Sequence, residues 1–310
     1  MTLNRGWVYR DIVRPEYGGW SVLDYYSQLY RHSSREVWGD RITQGQIRLN
    51  DHPTTPHTRL KPGQILTYHR PPWVEPPAPL NFTLLATDPD FLVVVKPSGL
   101  PVLPGAGFLE QTLWFQLQQQ YPDIAPIHRL GRGTSGVILW ARTPQGRQIL
   151  SRQLRQGEMV KEYRALVPDW THGDSLTITH PIGKIPHPTL GTVYAATTEG
   201  MRAESRVQYL GKQETGVLLG VIIPTGRPHQ IRIHLAAVGH PLLGDPLYQP
   251  GGGLNLTLNP ETATYAVPGD GGYYLHAHRL SFFHPQTGEH LTYEAPPPAW
   301  ISELRVGNRE

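Results

Sequence analysis

The chain has 310 residues, a formal net charge of +3, 23 Arg against only 5 Lys, 15 His and no Cys. Disulfides, thiolate nucleophiles and Cys-based zinc sites are therefore excluded, the histidines show no metal-ligand spacing, and no apolar run approaches the ~18 residues that a membrane helix needs. Residues 1–11 carry no apolar signal core, so a soluble, cytoplasmic chain is expected, with no membrane partner. Gly 32 and Pro 31 beside 38% hydrophobic residues favour short strands and turns over a helical bundle. The arginine excess suits a phosphate-bearing partner, because the planar guanidinium grips phosphate bidentately.

In chain order, Val22, Leu23, Tyr26, Leu29 and Tyr30 recur at helical spacing. Ser33-Ser34 before Arg35-Glu36-Val37 caps the start of a second helix. Gln46–Asn50 alternates like a strand, and 60–68 reads as a turn followed by another. Five prolines between Pro71 and Pro79 make an extended spacer, since proline fixes φ and donates no amide. Beyond it, 91–95, 137–141 and 162–167 are apolar strand runs. Helices are expected over 109–121, over 143–157 ending at a glycine, and over 230–238 closed by Gly239. Residues 202–210 and 217–223 read as a strand pair, and 280–284 with 290–294 as a final hairpin around Thr287-Gly288. The domains that follow are 1–70, a linker 71–80, a large domain 81–300 and a tail 301–310.

Gly131-Arg132-Gly133-Thr134-Ser135-Gly136 matches the glycine spacing of a dinucleotide fingerprint. That fingerprint opens a helix, whereas Val137-Ile138-Leu139-Trp140 follows here and is strand-like. No nucleotide cofactor, and no metal, is expected from it.

Four separated blocks carry a different message. They are Lys96-Pro97-Ser98-Gly99-Leu100, His128-Arg129-Leu130-Gly131-Arg132-Gly133-Thr134-Ser135-Gly136, Lys161-Glu162-Tyr163-Arg164-Ala165, and Gly226-Arg227-Pro228-His229-Gln230-Ile231-Arg232-Ile233-His234 running on to Gly244-Asp245-Pro246-Leu247-Tyr248. In this order they resemble the RluA-type RNA pseudouridine synthases over most of residues 82–297. The resemblance implies an α+β chain whose large domain is a mixed, largely antiparallel sheet with flanking helices and a central cleft. Ser34-Arg35, Ile42–Asn50 and Lys61-Pro62-Gly63-Gln64 resemble the small S4-like RNA-binding domain, with Gln64 where an Asp is usual.

The implied activity is isomerisation of uridine to pseudouridine in ribosomal or transfer RNA by a monomer that uses no cofactor. The glycosidic bond breaks, the base turns, and C5 joins the sugar. The target base must leave its stack, and a carboxylate must reach a cation-like sugar. By resemblance, Arg129 fills the space of the flipped base, Tyr163 stacks on the uracil and shuttles a proton, and Arg227 pairs with the catalytic carboxylate. Leu130, Thr134, Ser135 and Ile231 line the pocket. Arg132, Arg164, Arg232 and Arg35 are candidates for phosphate contact by charge.

The family motif usually reads H-R-L-D-x-x-T-S-G, and this chain has Gly131 in place of the catalytic aspartate. Glycine is neither nucleophile, base nor acid. Either a carboxylate enters from elsewhere, with Asp123 and Asp245 as candidates, or a substrate phosphate sits against Arg227, or the chain keeps only an RNA groove. The last alternative makes it a non-catalytic RNA-binding protein, such as an RNA chaperone or assembly factor. Gly133 adds an expectation of unusual loop backbone.

Overall fold

The computed structural model describes residues 3–260 and 262–301. The tail expected over 301–310 lies, beyond Ile301, outside the described residues. The chain divides into two compact units, Met1–Glu75 and Pro76–Glu310.

The first unit is built from β1 (Trp7–Ile12), α1 (Val22–Leu29), α2 (Arg35–Thr43), β2 (Ile47–Leu49), β3 (His52–Pro53) and β4 (Ile65–Arg70). Both helices begin where a serine can accept an otherwise orphaned amide. Ser21 Oγ accepts from Asp24 N at 3.0 Å, and Ser34 Oγ from Val37 N at 3.3 Å. The strands lie in the order β1-β4-β2-β3, all antiparallel. An aromatic core of Tyr25, Tyr26, Trp38 and Tyr68 fills the unit with Ile42, Ile47 and Leu66. Strand β1 was not foreseen. Its six residues are exposed or half-buried, so no apolar alternation marks them.

The second unit adds β5 (Thr83–Thr87), β6 (Phe91–Lys96), α3 (Leu113–Gln118), β7 (Ala125–Pro126), β8 (Ser135–Ala141), α4 (Pro144–Gln156) and β9 (Val160–Val167). It continues with β10 (Ser175–Ile178), β11 (Ile182–His187), β12 (Gly191–Ala196), β13 (Ser205–Gln213), β14 (Gly216–Ile222), α5 (Gln230–Ala237), β15 (Leu275–Phe283) and β16 (His290–Glu294). One large sheet runs β10-β13-β14-β9-β15-β8-β6-β5, with β16 beside β15 and β7 beside β8. All its pairings are antiparallel except β8 with β15. The unit is α+β, with a mixed, largely antiparallel sheet. The central strands are buried on both faces, which accounts for the continuous apolar runs of β6 and β8.

Helix α4 shows how local signals fix an element. Thr143 Oγ1 accepts from Gly146 N, Pro144 occupies the first turn, and Gly157 closes the end at φ 75°. Helix α3 is shorter than the 109–121 expected. Pro101 and Val102 carbonyls take the amides of Leu113 and Trp114, so 109–112 belong to the loop. The hairpin β11–β12 packs with α5 around Ile182, Val193, Ile233 and Ala236 in a separate cluster. No helix among the described residues is long and apolar enough to cross a membrane.

Candidate active site

The glycine-rich loop lies between β7 and β8. It turns tightly, with Thr134 N donating to Gly131 O at 3.1 Å. The Lys96–Gly99 segment braces it from behind. Lys96 is fully buried, and Nζ donates to the carbonyls of Pro97, Leu100 and Arg132 at 2.9, 2.8 and 3.1 Å. Ser98 Oγ donates to Gly133 O at 2.7 Å, and Gly99 N to Arg132 O at 2.8 Å. Two of the four sequence blocks are thus one piece of structure, and what joins them is backbone hydrogen bonding to lysine and serine. Burial, aided by Arg132, pushes Lys96 down to about 7. Lys96→Met is expected to lower stability by about 2 kcal/mol, because three buried carbonyls lose their donor; urea unfolding measures it.

Strand register brings Tyr163 to this loop. Ala277 on β15 pairs with Gly136 on β8 and with Tyr163 on β9. Two strand spacings separate Gly136 from Tyr163, roughly 10 Å. Gly136 has φ 108°, and a Cβ there would stand 2.1 Å from Ala277 O, so only glycine allows the strands to meet. Tyr163 is 7% exposed, and its hydroxyl makes no hydrogen bond among the described residues. Burial pushes this hydroxyl's pKa well above its ordinary value, so it stays protonated at physiological pH. Lys161, two residues earlier on the same buried face, stands with Nζ 3.6 Å from where a Cβ of Gly226 would be. Burial lowers its pKa.

The fourth block forms a turn and α5. Gln230 ties the turn together: Oε1 accepts from Thr225 Oγ1 and Arg227 N, and Nε2 donates to Glu204 O and Ser205 Oγ. His229 stands at φ 55°, with Nδ1 2.9 Å from Tyr248 Oη, which donates to Tyr194 O. Arg232 is 2% exposed and forms a bidentate pair with Asp245, Nε to Oδ2 and Nη2 to Oδ1, both at 2.7 Å. Its guanidinium carbon lies 4.2 Å from the ring centre of Tyr273 and 5.0 Å from that of Tyr248. Burial opposes the Arg232 charge, but the Asp245 hydrogen bonds outweigh it and its pKa ends above the ordinary value.

The expected site residues divide by place. Leu130, Thr134, Tyr163 and Ile231 are buried in the second unit, with Ser135 half-buried and its Oγ on His276 Nδ1 at 2.9 Å. Arg129 is exposed. Arg132 is half-buried and donates from Nε to Gly269 O at 2.6 Å. Arg164 pairs with Glu162, which also takes Arg279, and Arg35 is exposed beside Asp24 in the first unit. Arg227 donates from Nε to Arg202 O and has no ion pair among the described residues. The arginine with a buried carboxylate is instead Arg232, which lies too deep to meet a surface phosphate. Asp245 is fully buried on that pair, and Asp123 is exposed. No group of three or more His, Asp or Glu among the described residues could hold a metal ion.

Sequence reasoning missed Tyr273. It is 5% exposed, with Oη 3.3 Å from Thr134 Oγ1. Neither Gly131 nor Gly133 has a positive φ. Both are small because Tyr273 packs on them: a Cβ on Gly133 would lie 2.9 Å from the ring. The unusual backbone expected of Gly133 gives way to this packing reason.

Three histidines, His276 buried and His128 and His229 half-buried, are held neutral by their surroundings. His128 is pushed down to about 3 by burial and Lys161, His229 to about 4 by burial and Arg232, and His276 to about 4 by burial and His278. Between pH 6.5 and about 4 the unfolded chain binds more protons than the folded one, so stability is lost as pH falls through that window. The melting temperature is expected to fall progressively from pH 7 to 5, above the range where carboxylates titrate, as scanning calorimetry would record.

The chain is similar in sequence and fold to known proteins. Residues 90–237 match the family model for RNA pseudouridylate synthase. An uncharacterized RNA pseudouridine synthase of Synechocystis sp. is 47% identical over 284 residues, covering 91% of this chain and 96% of that protein. RNA pseudouridine synthase 5 of Oryza sativa subsp. japonica is 37% identical, with 95% and 88% covered. Ribosomal large subunit pseudouridine synthase D of Vibrio cholerae is 31% identical, with 92% and 90% covered. Among solved structures, human RNA Pseudouridylate Synthase Domain Containing 1 matches with TM-score 0.54 at 24% identity, over 73% of this chain and 87% of its own, and so shares the fold. With a match to the synthase family model and relatives of this identity along most of its length, the chain belongs to the RNA pseudouridine synthase family.

Proposed function

We propose that this protein isomerises uridine to pseudouridine in structured RNA, ribosomal or transfer, after flipping the target base into the second unit. The observation that supports this reading is the buried row Gly136–Ala277–Tyr163, in which Tyr163 lies two strands from the end of the glycine-rich loop. Tyr163 stacks on the uracil and moves a proton. Arg129, exposed at the loop, fills the place of the flipped base. Leu130, Thr134, Ser135 and Ile231 wall the pocket, and Arg132, Arg164 and Arg227 steer phosphate toward it. The first unit acts as an S4-like RNA-binding domain over residues 1–70, with Arg35 on α2 exposed for RNA and the proline-rich 71–80 as its linker. The protein works as a cytoplasmic monomer without a cofactor.

A second reading, a non-catalytic RNA-binding protein such as an RNA chaperone or assembly factor, is favoured by Gly131, which brings no carboxylate and lies under Tyr273. The experiment that separates them maps pseudouridine in RNA from cells with and without the protein. The enzyme reading expects a position that is uridine in the null strain and that purified protein converts in that RNA. A null strain with unchanged pseudouridine, together with RNA binding by the purified protein, overturns it in favour of the second.

A further inference from the structure

We propose that Tyr273 takes the place of the side chain that residue 131 lacks, so that a phenol hydroxyl stands where the family motif places its carboxylate. Only the last consequence below rests on the enzyme reading.

The backbone does not require glycine at 131, because its φ is not positive. The obstacle to a side chain is one atom. A Cβ on Gly131 would lie 2.7 Å from Tyr273 Oη, and its next neighbour, Thr134 Oγ1, is at an ordinary 3.4 Å. Gly133 completes the seat, since a Cβ there would meet Cε1 and Cζ of the same ring at 2.9 Å. Gly131 is therefore shaped by one aromatic side chain, and Gly133 by the same ring together with the Gly271 backbone, 3.1 Å from its Cβ position.

That side chain has little room to yield. Arg232 lies over its ring at 4.2 Å and is itself fixed by Asp245. The backbone on either side is anchored. Gly269 O accepts from Arg132 Nε at 2.6 Å and Pro268 O from Arg232 Nη1 at 3.3 Å. Tyr274 N donates to Leu243 O, and Tyr274 O accepts from Leu166 N. A Cβ at 131 and the Tyr273 hydroxyl compete for one place, and the Tyr273 ring is held there against Arg232. Gly131→Asp alone therefore cannot install a working carboxylate; Gly131→Asp with Tyr273→Ala can. In the enzyme reading, the ribose of a bound nucleoside meets the Tyr273 hydroxyl.

The test is a double-mutant cycle read by thermal melting. Gly131→Ala adds only the Cβ, and Tyr273→Phe removes only the oxygen that it meets. Gly131→Ala is expected to lower the melting temperature by about 4 °C or more in the wild type, and by under about 1 °C in the Tyr273→Phe background. Equal shifts in the two backgrounds, or none in either, overturn the proposal. A second arm measures tritium release from RNA labelled at uracil C5. Tyr273→Phe is expected to lower turnover about 100-fold at unchanged KM. Undiminished turnover overturns the assignment of the hydroxyl to the ribose. If the wild type releases no tritium, the enzyme reading fails, and the melting cycle still decides the pairing.

Discussion

Replacing Asp245 by Ala is expected to destabilise the protein by about 3–5 kcal/mol, because it strands a buried guanidinium without its counter-charge. In a unit of this size that corresponds to a fall in melting temperature of about 10 °C. The Arg232 side chain is 2% exposed and that of Asp245 is 0% exposed, so water replaces neither partner. Asp245 Oδ1 also accepts the amides of Leu247 and Tyr248 at 2.9 and 3.1 Å, and these lose their acceptor as well. Replacing both partners together, Arg232→Met with Asp245→Leu, is expected to recover the part of the loss that comes from the unpaired guanidinium but not the part that comes from the two amides. Urea unfolding of the three variants measures both values; an Asp245→Ala protein as stable as wild type would refute the assignment of this pair.

Tyr163→Phe is expected to lower isomerisation by about 100-fold or more, the contribution of a positioned proton donor, while leaving the melting temperature unchanged. The hydroxyl makes no hydrogen bond among the described residues, so the folded protein loses no hydrogen bond when it is removed. Burial keeps it protonated, so the tyrosine serves as a donor and not as a phenolate. A steady-state tritium-release assay on RNA labelled at uracil C5 gives the first quantity and calorimetry the second. Equal turnover in Tyr163→Phe would remove Tyr163 from the chemistry.

What was legible in the sequence was what local pattern encodes. Apolar runs marked β6, β8 and β9, and the cap residues Ser34, Thr143 and Gly157 marked helix ends. The glycine spacing at 131–136 was read against a dinucleotide site because a strand follows, and β8 begins at Ser135. Less legible were elements without an apolar face of their own. Strand β1 is exposed, sits at a sheet edge and takes its place from β4, distant in sequence, while β11 and β12 pair only with each other as a separate hairpin.

The site was legible by block but not by contact. Asp245 was a candidate for the missing carboxylate; that it instead accepts two turn amides and pairs with Arg232 follows from burial, which no local pattern reports. Arg227 and Arg232 differ by five positions in the same basic block, yet one reaches a backbone carbonyl in the turn and the other points into the core. Tyr273 lies 142 positions from Gly131 in irregular chain, outside every motif, so nothing local signals it. The small size of Gly131 and Gly133 was the only trace; Gly131 was read as a missing aspartate and Gly133 as backbone freedom, whereas both leave room for a ring.

The most direct single measurement is tritium release by the wild-type protein from RNA of cells that lack it, labelled at uracil C5. Forming pseudouridine expels that hydrogen, so release rising to a plateau of one tritium per modified position, matched by an equal yield of pseudouridine, is the expected result. No release from total RNA that the protein demonstrably binds would contradict it, and would leave a binding protein built on a synthase fold.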